Sequence, residues 1–185
     1  LVKNKISNGH KKILVVVSAM SGVTNNLVKQ YKRIDSNINK PEYDVILSTG
    51  EQYSSAIIST FLNKNGLKSR SILGWQIPII TDDKFSQARI EKINTEKILK
   101  LFKKFNVLVV AGFQGISSED RITTLGRGGS DTSAVAIAVA LKSKICEIYT
   151  DVEGIFSSDP KVVKDAKKIK NIDRKSTRLN SSHTV

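Results

Sequence analysis

Two runs along the chain, Lys12-Ile13-Leu14-Val15-Val16-Val17 and Val107 to Ala111, are short, continuous and rich in β-branched residues. Runs of this kind fit strands of a buried parallel sheet, not the alternating pattern of a sheet with one wet face. Between them the spacing changes. Tyr43 to Asn65 carries Val45, Ile46, Tyr53, Ile57, Phe61 and Leu62 at helical intervals, which predicts a helix with those positions as its apolar face. Asn65-Gly66 supplies its stop. Helices are also predicted from the residues after Thr24 to about Arg33, over Glu96 to Phe105, and over Ala134 to Leu141. Ser69 to Leu73 and Ile77 to Ile80 read as further strands, and Ile145 to Tyr149 as a third buried one.

Strand, loop and helix in repetition imply an α/β sheet with helices on both faces. Ligands of such sheets sit beyond the carboxyl ends of the strands. The polar motifs fall there: Ser18 to Thr24, Gly112 to Gly115, and Thr150 with Asp151. A single crevice is therefore expected.

One loop carries most of the chemistry. Gly126-Arg127-Gly128-Gly129-Ser130-Asp131 runs straight into the helix that follows it. Glycines allow close approach of backbone to ligand, and a helix start favours an anion. Arg127 adds a planar fork suited to carboxylate or phosphate, and Asp131 can hold a cationic group in register. The P-loop pattern is absent from the chain, and the dinucleotide pattern fails because its third glycine would fall on Asp131. As isolated residues, Ser130, Asp131, Ser18 and Thr24 also suit simple helix caps, and Glu51 a solvated acid.

Composition narrows the picture without redirecting it. The 185 residues suffice for one sizeable core. No run approaches membrane-spanning length and the first residues form no secretory signal, so no membrane partner and a cytoplasmic location are expected. Cys146 is the only cysteine, set in an apolar strand pattern, and reads as a buried structural thiol. The net charge of +13 invites a nucleic-acid partner, but the lysines are scattered and not interleaved with aromatics, so none is expected. His10 and His183 do not argue for a metal pair.

Taken in order, Val16-Val17-Ser18-Ala19-Met20-Ser21-Gly22-Val23-Thr24, Ser48-Thr49-Gly50-Glu51, Gly112-Phe113-Gln114-Gly115, Gly126-Arg127-Gly128-Gly129-Ser130-Asp131, Thr150-Asp151-Val152-Glu153-Gly154-Ile155 and Asp159-Pro160 resemble the catalytic domain of the aspartokinase family. The likeness runs from about Val2 to Asp173. It implies the amino-acid-kinase fold, a three-layer α/β/α sandwich around a mainly parallel sheet. It also implies transfer of the ATP γ-phosphoryl group to the side-chain carboxylate of L-aspartate. Carried over by motif, Ser18 and Thr24 would line the aspartate pocket, Glu51 would hold the substrate ammonium and Arg127 a substrate carboxylate. Phe113 and Ser130 would close that pocket. Asp131 would position lysines that neutralise the transferring phosphoryl. Thr150 and Asp151 would bind nucleotide, with Phe156 against the base, where the family often has tyrosine, and Lys161 nearby. Magnesium would arrive with ATP and not in a protein cage. The full-length parent is expected to be a homo-oligomer.

The family opens with a strand ending Lys-Phe-Gly-Gly-Thr-Ser and has a second phosphate-facing lysine further on; neither motif is in this sequence. The expectation is an internal fragment, without regulatory domains, inactive by itself. Arg174 to Val185 lacks apolar periodicity and reads as a non-native tail after a domain of residues 1–173. Two other readings stand beside this one. The first is a kinase of the same fold acting on acetylglutamate, glutamate or a nucleoside monophosphate, against which the Ser-Thr-Gly-Glu and Gly-Arg-Gly-Gly-Ser-Asp motifs argue. The second is a basic nucleic-acid-binding module.

Overall fold

A computed structural model describes residues 1–126, 128–149 and Asp165. The chain divides into two compact units, Leu1–Cys146 and Glu147–Val185. Every helix and strand among the described residues belongs to the first. In chain order they are α1 (Val2–Ser7), β1 (Ile13–Val17), α2 (Val23–Lys32), α3 (Pro41–Lys64), β2 (Ser69–Ile72), β3 (Ile79–Thr81), β4 (Ile90–Ile93), α4 (Thr95–Leu101), β5 (Val107–Ala111), β6 (Gln114–Ile116), β7 (Ile122–Thr124) and α5 (Gly129–Ala140).

The first apolar runs do become parallel strands. β5 lies between β1 and β2 and is parallel to both, with Val17 opposite Ala111. All five residues of β5 are buried, as a central strand covered on both faces requires, whereas β1 is mostly half-buried. Alternate side chains of β5 feed two cores. Leu108 and Val110 pack with Ile98 of α4 and Ile137 of α5. Val107 and Val109 pack with Leu62 and Ile58 of α3 and with Val2 and Ile6 of α1. Helix, sheet and helix thus form three layers. A second sheet, ordered β4-β3-β6-β7 and mostly antiparallel, was not expected from the sequence.

Helix α3 follows its predicted apolar pattern only in part: Leu62 is buried. Val45, Tyr53, Ile57 and Phe61 are exposed, while Asp44, Ser48, Glu51, Ser55 and Ser59 are buried. The reason is close approach. A Cβ on Gly50 would sit 2.8 Å from the Ala19 Cβ, and Ser59 and Ser69 hydroxyls meet at 3.1 Å. Small residues let the helix lie tight on the sheet and its loops, and that contact chooses the buried face over hydrophobicity.

Ile145 to Tyr149 also departs from expectation. It forms no strand, and Ile145, Cys146, Ile148 and Tyr149 are exposed. Strand propensity takes effect only where a free ladder edge accepts the segment, and among the described residues none pairs with it. The expected tail, residues 174–185, lies outside the described residues.

Candidate active site

Two adjacent parallel strands end side by side. β1 gives way to Ser18 and Ala19, and β5 to Gly112 and Phe113, with the Gly112 amide bonded to the Val17 carbonyl at 3.0 Å. A cavity of about 920 Å³ opens over those ends. Ser18, Thr24, Glu51, Phe113, Ser130 and Asp131 all line it. So six of the residues singled out in the sequence share one cavity within the first unit. Arg127, Thr150, Asp151, Phe156 and Lys161 lie outside the described residues. Gly126 and Gly128, on either side of Arg127, line the cavity.

The backbone around the cavity explains the glycines. Phe113 has φ +66°, a left-handed conformation that a bulky residue adopts only under constraint. Its amide donates to the Ser133 hydroxyl at 3.0 Å, and its carbonyl accepts from the Leu125 amide at 2.9 Å. Helix α5 docks against this turn. A Cβ on Gly129 would fall 2.6 Å from Phe113 Cδ2, and one on Gly112 2.8 Å from the Ser130 Oγ. No side chain fits at either position. Neither cap expectation holds. Gly128 (φ +68°) caps α5 and Gly22 (φ +79°) caps α2, neither with a side-chain bond. Ser130, Asp131 and Thr24 therefore fall inside the first helical turns rather than at the caps.

Glu51 is the most unusual group in the wall. It is 4% exposed, so the solvated acid that an isolated helical glutamate suggests is corrected here. Its Oε1 accepts the Ala19 amide at 3.0 Å, and its Oε2 has no partner among the described residues. Burial pushes its carboxyl above the ordinary range, against the lowering effect of the Ala19 amide. A buried carboxylate oxygen without a donor is costly, and a cationic ligand group would satisfy it.

Sequence reasoning missed a second buried acid. Asp44 on α3 is fully buried and accepts bonds from Ser86 and Thr124. Ser86, Gln87, Tyr43, Leu47 and Ile38 complete much of the lining. Tyr43 packs edge-on against Tyr31, ring centroids 4.9 Å apart. The available signal was the spacing Asp44, Ser48, Glu51, Ser55, a polar stripe at helical intervals within one helix. Gln114 ties the turn to α3 by donating to the Ser48 carbonyl at 3.1 Å.

The chain is 47% identical over 176 residues to the aspartokinase of Rickettsia felis, an overlap covering 94% of this chain and 44% of that protein. It thus spans less than half the length of that relative. The aspartate kinase of Synechocystis superposes with a TM-score of 0.71 at 44% identity, over 90% of this chain and 27% of that one. E. coli aspartokinase III, in complex with aspartate and ADP in the R-state, superposes with a TM-score of 0.75 at 26% identity, over 90% of this chain and 48% of that one. No helix among the described residues is long and apolar enough to cross a membrane. The amino acid kinase family model matches residues 2–184, and the chain belongs to the amino acid kinase family.

Proposed function

We propose that this chain carries the acceptor site of an aspartate kinase, which moves the γ-phosphoryl group of ATP onto the side-chain carboxylate of L-aspartate to give 4-phospho-L-aspartate. The observation that carries the reading is the buried Oε2 of Glu51 in the cavity wall, which has no partner among the described residues. An α-ammonium group is the ligand feature that answers it. Aspartate and ADP together in the E. coli aspartokinase III complex support L-aspartate as acceptor and ATP, the nucleotide that ADP derives from, as donor here.

Each residue then has a task. Glu51 holds the ammonium. Ser18 and Thr24 give hydroxyls to the amino acid, Arg127 takes a substrate carboxylate, and Phe113 with Ser130 closes the pocket. Asp131, in the first turn of α5, orients cationic groups toward the transferring phosphoryl. Thr150, Asp151, Phe156 and Lys161 serve the nucleotide, and magnesium enters bound to its phosphates. Attack of a carboxylate on a polyphosphate gathers negative charge, so positioning and positive electrostatics supply most of the rate. The product feeds amino-acid biosynthesis toward lysine, threonine and methionine. A cytoplasmic location and a homo-oligomeric full-length protein accompany this reading.

The test is acceptor-dependent ATP turnover by the full gene product. L-aspartate should drive it, with acetylglutamate, glutamate and nucleoside monophosphates inactive at equal concentration. Turnover with one of those in place of aspartate would overturn the assignment.

A further inference from the structure

We infer that Asp44 is a positioning residue for the acceptor end of the cavity, clamping two chain segments into one wall. The inference rests on the assignment of that cavity to the carboxylate acceptor. Both Asp44 oxygens accept the Ser86 amide at 2.9 Å. Oδ2 also accepts the Thr124 amide at 2.7 Å, and Oδ1 the Thr124 hydroxyl at 2.9 Å. Ser86 belongs to the loop between β3 and β4, and Thr124 ends β7. The two segments meet directly, since the Ala88 amide donates to the Thr124 carbonyl at 2.9 Å.

From there the geometry reaches the glycine-rich loop. A Cβ on Gly126 would lie 3.3 Å from the Ser86 carbonyl oxygen, so the Ser86 loop runs against that glycine. Ser86, Gln87, Thr124, Leu125 and Gly126 all line the cavity. Ser86 itself has φ +66°, a strained conformation for a non-glycine residue, and its amide bond to Asp44 holds it there. Asp44 and Glu51 lie two turns apart on α3, both buried. A single helix therefore fixes the carboxylate offered to the ligand and, through Asp44, a separate part of the wall. Such placement of a site on a rigid element is what transfer chemistry needs, because small misplacements cost rate steeply.

The discriminating variants are Asp44→Ala and Asp44→Asn. Alanine removes all four bonds. Asparagine keeps one oxygen for the two amides and turns its NH2 to the Thr124 hydroxyl, which then accepts, but the NH2 also faces the Ser86 amide donor against donor, so the clamp is restored only in part. In the full gene product, Asp44→Ala should raise KM for L-aspartate by about tenfold or more while KM for ATP moves by less than about threefold. Asp44→Asn should recover part of that loss. Amide hydrogen exchange at Ser86 and Thr124 reads the clamp without any substrate, and should accelerate in the alanine variant and recover in the asparagine one more fully at Thr124 than at Ser86. Equal changes in both KM values, or accelerated exchange with an unchanged aspartate KM, would overturn the positioning role while wild-type activity leaves the functional assignment intact. Wild-type protein without aspartate-dependent turnover would defeat the assignment and this inference together. Should Asp44→Ala fail to fold, Thr124→Val, which removes one of the four bonds, must shift the aspartate KM upward by about threefold; no shift overturns the inference.

Discussion

The Ala19 amide donates to one oxygen of Glu51 at 3.0 Å and leaves the other oxygen buried, without a partner among the described residues. A residue just past β1 thus sets the orientation of a carboxylate carried by α3.

Glu51→Gln keeps the shape and the Ala19 bond but removes the charge. It should raise KM for L-aspartate about 30-fold or more, the cost of losing one partner of a buried charge pair, with little change in KM for ATP. The same substitution should stabilise the ligand-free protein by about 0.5–2 kcal/mol, because a site built for function carries stored instability. Steady-state kinetics and urea unfolding check the two halves. A variant that binds aspartate normally would remove Glu51 from the site.

The pH dependence of stability follows from the direction of the shift. Burial raises the Glu51 carboxyl above its ordinary 4.5. The folded state then holds this proton more firmly than the unfolded state does, so the Glu51 contribution favours folding at low pH. That contribution is lost as pH rises from the ordinary value through the raised one. Asp44 is raised too, with the amides and hydroxyl of its partners opposing burial. The stability advantage of Glu51→Gln over wild type should therefore grow as pH rises from the ordinary 4.5 through the raised value. Urea melts of both proteins across that range measure it; a constant difference would contradict the buried, unpartnered state of the carboxylate.

Gly50→Ala tests the close approach of α3. Alanine is favoured over glycine inside a helix by about 0.8–1.0 kcal/mol. Here, however, the new Cβ would meet the Ala19 Cβ at 2.8 Å and Val23 Cγ1 at 3.3 Å. Overpacking of this kind costs about 1–3 kcal/mol. The expected outcome is a lower Tm together with a raised aspartate KM, since the displaced Ala19 carries the amide that orients Glu51. A higher Tm would show that the helix and the β1–α2 loop are free to separate.

Arg127→Ala bears on the glycine-rich loop. Loss of a charge-assisted bidentate contact to a substrate carboxylate should cost about 2–4 kcal/mol in aspartate binding and much less in ATP binding. Kinetics with each substrate varied in turn would reveal an equal loss for both if Arg127 instead served the phosphates.

What the sequence disclosed depended on how local the cause was. β1 and β5 were legible because an unbroken apolar run has few other fates. Ser18, Thr24, Phe113, Ser130 and Asp131 were legible because they follow strands or open a helix, where an α/β sheet gathers its ligand groups. The buried face of α3 was legible only at Leu62: Gly50 and its serines are chosen by what packs against them, and hydrophobic spacing also pointed to Tyr53, Ile57 and Phe61, which are exposed. Asp44 was hidden for a related reason, because its partners lie 42 and 80 positions away. β4, β6 and β7 have three or four residues each, too few for a period to show. Ile145 to Tyr149 had the pattern of a strand and none of the pairing.

The central claim is that the cavity holds L-aspartate with its side-chain carboxylate presented to ATP. Hydroxylamine trapping tests it most directly, because it intercepts an acyl phosphate as a hydroxamate. Full gene product incubated with ATP, magnesium, L-aspartate and hydroxylamine should yield aspartate β-hydroxamate in step with ADP, and Glu51→Gln should suppress both at low aspartate. ADP formed without hydroxamate, or hydroxamate formed equally well by the Glu51 variant, would contradict the account.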